Sequence, residues 1–152
     1  MPLAVAHPEA IMALFRAAPD AEVVSVGGSP YAYWSVIASL WFHGEPFIIV
    51  EHDIVVTAQA LDDLASCGSP WCAFVYHEEI GEPVSGMGCT KIVPKMGMAL
   101  DLAGMPDPVW QNVDTTVAGI LQAAGWTVHE HGPWLRHLNP KVASMQTSEA
   151  PR

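Results

Sequence analysis

Phe47-Ile48-Ile49-Val50-Glu51-His52-Asp53 decides how this chain reads. Four consecutive apolar residues, three of them β-branched, fit a strand buried on both faces, the pattern of a central strand in a parallel sheet. Gly44-Glu45-Pro46 stops the preceding helical pattern, in which Trp34, Ile37 and Trp41 recur at i, i+3 and i+7 behind a Ser29-Pro30 start. Further toward the N-terminus lie a β-branched run at residues 22–26, closed by Gly27-Gly28, and a helical repeat of Ile11, Leu14, Phe15 and Ala18 opened by Pro8. Residues 3–6 read as a first strand. Strands alternating with helices predict a βαβαβ, doubly wound α/β beginning with a mostly parallel sheet.

Toward the C-terminus, Thr57 predicts the cap of a short helix through Leu61 and Leu64, ended by Gly68-Ser69-Pro70. Residues 71–76 predict a further strand. Gly81, Pro83 and Gly86 with three acids make residues 77–87 a mobile loop beside a site. A helix is expected from Asp107-Pro108 with Val109, Val113, Val117, Ile120 and Ala124 inward, and Gly125 stands where a left-handed C-terminal residue belongs. Residues 126–131 predict a strand that puts His129 and His131 on one face by the two-residue period. The expected organisation is one domain over residues 1–140 and a flexible tail over 141–152.

Composition narrows the function classes. With 152 residues, 6 Lys+Arg and 16 Asp+Glu, the formal charge is −10. The cations Arg16, Lys91, Lys95, Arg136, Lys141 and Arg152 are scattered, so a phosphate-gripping nucleic-acid surface is not expected. A phosphorylated ligand would instead need a divalent ion held by carboxylates or imidazoles. No apolar stretch approaches a membrane span and no basic leader opens the chain, which reads as cytoplasmic. Three cysteines, Cys67, Cys72 and Cys89, suit a reducing compartment and read as buried inert thiols. The rival is a zinc set of Cys67, Cys72, His77 and Cys89.

Glu51-His52-Asp53 interrupts an apolar run that resumes at Ile54-Val55-Val56, and polar residues so placed are costly unless paired. In open α/β sheets ligands sit beyond the carboxyl ends of strands. Two acids spaced by one residue on an extended backbone share a side and can hold a divalent cation; the alternative is a solvated strand end. His129-x-His131 is a second candidate metal pair, with chance surface histidines as its alternative. Arg136 could meet a phosphate or be an ordinary surface residue. Asp114 is the one acid between Pro108 and Gly125, and nothing in the chain matches a glycine-rich phosphate loop.

Residues 47–55, Leu61-Asp62-Asp63-Leu64, Pro70-Trp71-Cys72-Ala73, Gly88-Cys89-Thr90-Lys91 and the closing His-rich strand together resemble a small nucleotide-sugar glycosyltransferase of the GT-A fold, over roughly residues 3–140. The resemblance implies a three-layer α/β sandwich and a metal-dependent transfer from a nucleoside diphosphate sugar, a UDP-sugar foremost, to a hydroxyl acceptor. It implies Mn2+ or Mg2+ at Asp53 with His137, supported by Glu51, and with His131 as competitor for the histidine position. It implies donor contacts at His7, Pro8, Gly27, Gly28 and His52 as well as the triplet, and Asp114 as the general base of an inverting reaction. Glu51 replaces the usual first Asp of the triplet, and Gly27-Gly28-Ser29 stands where many members carry an acid. A homodimer would complete an abbreviated acceptor half. A noncatalytic metal- or nucleotide-binding module on the same fold is the other expectation.

Overall fold

The computed structural model describes residues 7–76, 86–95, 100 and 106–138. Within them the chain is a mixed α/β domain whose five strands form one sheet. Helix α1 (Pro8–Ala17) begins with its proline at the first turn, and α2 (Ala32–His43) ends at Gly44, whose φ of +78° supplies the left-handed cap. Strand β1 (Phe47–Val50) leads through the triplet into β2 (Ile54–Val55), and α3 (Ala58–Ser66) starts where the Thr57 hydroxyl accepts from the Ala60 amide at 3.1 Å. Strands β3 (Trp71–Tyr76) and β4 (Cys89–Ile92) follow, then a 3-10 turn at Trp110–Asn112, α4 (Val113–Ala123) and β5 (His129–His137). Gly125, at φ +86°, turns the chain out of α4 as its position predicts.

The strand order is β1-β4-β3-β5-β2. Only β3 and β5 run parallel; β4 is antiparallel to both β1 and β3, and β2 is antiparallel to β5. The sheet is therefore mostly antiparallel, not mostly parallel. β4 runs back beside β3 and inserts between it and β1. The apolar run Phe47–Val50 consequently lies at the edge of the described sheet rather than its centre, with Ile48 36% exposed. Residues 22–26 form no strand, and Val23 and Val24 are exposed; among the described residues nothing pairs with them, and a β-branched run without a neighbour gains little from extending. The first expected strand, residues 3–6, lies outside the described residues, as do residues 77–85 of the expected loop and the tail from 139 onward.

Helices cover both faces. Trp34, Ile37 and Trp41 of α2 pack with Val113, Val117 and Leu121 of α4 against Trp71, Met87 and Ile92. On the other face Ala60 and Leu64 of α3 pack with Ile54, Val56, Cys72, Phe74, Tyr76, Cys89 and Leu135, with Leu14 and Ala17 of α1 alongside. The alternation of β3 assigns Trp71 to the first layer and Cys72, Phe74 and Tyr76 to the second. The buried stripe of α4 is Val113, Val117 and Leu121 at a spacing of four, with Ile120 at its margin, a small rotation from the expected one. Among the described residues no helix is long and apolar enough to cross a membrane.

Candidate functional site

Glu51, His52 and Asp53 form a turn, closed by the Ile54 amide donating to the Glu51 carbonyl at 3.1 Å. The extended geometry expected of the triplet is thus replaced by a bend, and its two carboxylates take different partners. Glu51 Oε1 accepts from the Tyr33 hydroxyl of α2 at 2.8 Å. Asp53 Oδ2 lies 2.9 Å from His137 Nε2 at the end of β5, both side chains about one-tenth exposed. The backbone fixes this pair: β2 and β5 register Ile54 against His137, and the Leu138 amide donates to the Asp53 carbonyl at 2.7 Å. The edge of the His137 ring meets the Tyr76 ring, with centroids 5.3 Å apart.

Asp114 enters from the first turn of α4. The Met87 amide donates to its Oδ2 over a long 3.5 Å. Gly86 lets the backbone come close here, since a Cβ would stand 2.6 Å from the Tyr76 hydroxyl and 3.0 Å from Asp114 Oδ2 and would displace one of them. Gly88 is pressed in the same way, its virtual Cβ 2.6 Å from the Tyr76 ring, while its carbonyl accepts from the Glu51 amide at 2.8 Å. Glycine backbone at 86 and 88, two tyrosines and the acids Glu51 and Asp114 therefore crowd one place, with the Asp53–His137 pair adjoining. Sequence reasoning missed Tyr33 and Tyr76, and gave Gly86 only a place in a loop beside a site and Gly88 no role there. Their signal is a tyrosine on an otherwise apolar helix and the Gly86-Met87-Gly88 spacing, both too common to single out.

Electrostatics separates the acids. Burial, reinforced by the nearby Asp114 charge, raises the Glu51 carboxyl to about 7, against the lowering effect of the Tyr33 hydrogen bond. Burial and the Glu51 carboxylate push the Tyr33 hydroxyl well above its ordinary value. Burial also raises Asp53, but the hydrogen bond and charge of His137 outweigh it and leave that carboxyl below its usual value. Asp53 Oδ1 is buried and has no hydrogen-bond partner among the described residues. A buried carboxylate oxygen left bare is the kind of atom that a cation satisfies.

No protein-family model, curated protein or solved structure matches this chain. What the site can do therefore rests on its own geometry.

Of the residues expected at the site, Glu51, Asp53, Asp114 and His137 come together. His52 sits in the turn between the two acids, where its charge helps hold Asp53 down. His131 does not join Asp53. It stacks on Phe74 at 5.5 Å and meets His129 at 4.8 Å, because register places it opposite Phe74, well before the end of β5. Arg136 is engaged by Glu9 of α1 at 2.6 Å in an exposed pair, which ties the first turn of α1 to β5. His7 and Pro8 form the cap and first residue of α1. Gly27 and Gly28 lie in the turn before α2, and the Pro30 carbonyl just beyond them accepts from Trp110 at 2.9 Å.

The cysteines depart from the inert-thiol reading. Cys67 and Cys72 are bonded to each other, whereas Cys89 is a free, buried thiol that burial pushes up to about 12. His77 of the rival zinc set lies outside the described residues. Met87 fills core, whereas Met12 is exposed; Met1, Met96, Met98, Met105 and Met145 lie outside the described residues.

Proposed function

We propose that the cluster of Glu51, Asp53, Asp114 and His137 is the centre of a metal-dependent glycosyl transfer from a nucleoside diphosphate sugar to an acceptor hydroxyl. The observation that carries the reading is the meeting of these four residues from the β1–β2 turn, the start of α4 and the end of β5. The Asp53–His137 pair with the acids Glu51 and Asp114 nearby suits a hard divalent cation such as Mn2+ or Mg2+ better than an apolar ligand. The bare Oδ1 of Asp53 makes that residue the first ligand of the set, with His137 beside it. Bound there, the ion would stabilise charge developing on a departing diphosphate.

The chain's own groups divide the remaining work. Asp114, beside the glycine backbone at 86–88, accepts the proton of the acceptor hydroxyl, the base that a direct, inverting displacement requires. Glu51 holds its proton to about pH 7 and so supports the site as a hydrogen-bonding group rather than a full charge in acid solution. Tyr33 positions it. Donor contacts at His7, Pro8, Gly27, Gly28 and His52, a UDP-sugar as donor, a homodimer and a GT-A-like sandwich belong to the same proposal. So does a cytoplasmic location.

Calorimetric titration of UDP, GDP and their sugars with and without Mn2+ tests it. Expected is metal-dependent binding that Asp53→Ala abolishes, together with slow metal-dependent donor hydrolysis. Equal, weak binding in both conditions that Asp53→Ala leaves unchanged overturns the reading. Binding without any hydrolysis would favour the noncatalytic module.

A further inference from the structure

Three weak sequence signals, Cys67, Cys72 and His129-x-His131, become one feature in three dimensions. Parallel pairing of β3 with β5 sets Cys72 opposite His129 and Phe74 opposite His131. Side chains two apart share a face, so Cys72, His129 and His131 project to the side on which α3 lies. Cys67, the residue that ends α3, reaches the same spot. The Sγ of Cys67 and one ring nitrogen each of His129 and His131 lie within 4.8 Å of one another, and the Cys72 Sγ is bonded to that of Cys67. The Nε2 of His131 is buried without a hydrogen-bond partner among the described residues.

We propose that Cys67, Cys72, His129 and His131 form, in the dithiol state, a tetrahedral site for a soft divalent cation, Zn2+ foremost, and that the Cys67–Cys72 disulfide is its closed state. Two thiolates and two imidazoles are a donor set that selects zinc, and they neutralise or nearly neutralise its charge. In such a site the four ligand atoms stand roughly 3.4 to 3.8 Å apart, given Zn–S of about 2.3 Å and Zn–N of about 2.0 to 2.1 Å. The present spans of up to 4.8 Å close by side-chain rotation. His129 is exposed, whereas Cys72 is fully buried. Lys91 is buried beside the cluster and donates to the Cys67 carbonyl at 2.5 Å, which fixes the end of α3 and adds a positive charge favouring thiolates.

The interconversion balances. A dithiol donor delivers two electrons, breaks the Cys67–Cys72 S–S bond and leaves two thiols while itself becoming a disulfide; Zn2+ then displaces two protons to solvent. Oxidation reverses both steps and releases the ion. This site shares no ligand with the Asp53–His137 pair, so it stands independently of the proposed transfer reaction.

The test uses the full chain with Co2+ as the probe, added after reduction by a phosphine. Expected is one tetrahedral Co2+ per chain, counted by its intense d–d absorption and its thiolate-to-cobalt charge-transfer band and displaced by Zn2+. Both features vanish in oxidised protein, and Cys67→Ser loses the charge-transfer intensity. His129→Ala, at an exposed position that does not endanger folding, also loses the tetrahedral spectrum, while Asp53→Ala keeps it. A reduced protein that shows only octahedral, weakly absorbing Co2+, or a tetrahedral spectrum that persists through oxidation or in His129→Ala, overturns the proposal.

Discussion

The two polar clusters are built on opposite ends of one strand, and they differ in almost everything else. At its start β5 offers His129 and His131 to two cysteines, an assembly of thiol and imidazole donors of which only His129 is exposed. At its end it offers His137 to Asp53, a buried carboxylate, beside the further acids Glu51 and Asp114. His131 and His137 are six residues apart, which on an extended strand is about 20 Å, less where the register of β5 shifts between the partners Phe74 and Tyr76. Leu135 and its packing partners fill the space between. Histidines that look interchangeable along the chain are thus committed to different chemistry by the strand's rise and by what each end meets.

Breaking the acidic end should have the largest effect. If Asp114 is the proton acceptor, Asp114→Asn lowers turnover by about 100 to 10,000-fold with donor affinity nearly intact; steady-state kinetics with a calorimetric donor titration separates the two, and a parallel loss of affinity would make Asp114 a donor-side residue. His129→Ala leaves that turnover unchanged if the two ends are independent.

The layers that hold the ends in place come next. Leu64 of α3 and Leu121 of α4 are fully buried on opposite faces of the sheet. Leu64→Ala and Leu121→Ala should each cost about 2 to 5 kcal/mol in denaturant unfolding, whereas Phe42→Ala, at a position 90% exposed, should shift stability by no more than about 0.5 kcal/mol. A large Phe42 effect would mean that α2 has a second packed face.

A titration sharpens the contrast further. In the metal-free protein Glu51 keeps its proton to about pH 7, while the unfolded chain releases it near the ordinary 4.5. Between those values the unfolded state binds fewer protons, so this group lowers stability as pH rises and has no further effect above about 7. Glu51→Gln should therefore gain stability relative to the parent as pH rises through that window, read as the difference in melting temperature across a pH series. A difference that is flat with pH would place an unshifted carboxyl at position 51.

A small effect is expected beside His137, at Arg136. Its pair with Glu9 is exposed on both sides, and Arg136→Ala should cost about 0.2 to 1 kcal/mol, decreasing with added salt. A loss of donor binding in this variant, with stability intact, would instead assign Arg136 to a phosphate.

Much of the local structure was legible in the chain. Pro8, Thr57, Gly44 and Gly125 mark helix ends because capping and left-handed turns depend on a few adjacent residues. Trp34, Ile37 and Trp41 announce a buried helix face for the same reason of short range. The polar triplet also stood out correctly as a costly interruption. Its extended form did not survive, since whether Glu51 and Asp53 share a side depends on the turn closed by Ile54, and a three-residue pattern does not encode that bond.

Strand pairing is where local signals end. The run Phe47–Val50 carries the composition of a central strand, yet composition records burial and not the direction of neighbours, and β4 inserts antiparallel beside it at the described sheet's edge. By itself the sequence determined the helices, the strands at Phe47–Val50 and Trp71–Tyr76, several helix ends, the acidic character and the suspicion attached to Glu51 and Asp53. But it put a strand at 22–26, started α2 at Ser29-Pro30 rather than after Tyr31, placed the last strand at 126–131 rather than His129–His137 and did not reveal β2 or β4. Only the tertiary structure decided that His131 belongs with Cys67 and His137 with Asp53, that Cys72 lies opposite His129, and that Tyr33 and the Gly86 backbone enter the acid cluster. The physical reason is that register between strands distant in the chain is fixed by the summed packing of both faces of the sheet, a quantity that no short stretch of residues contains.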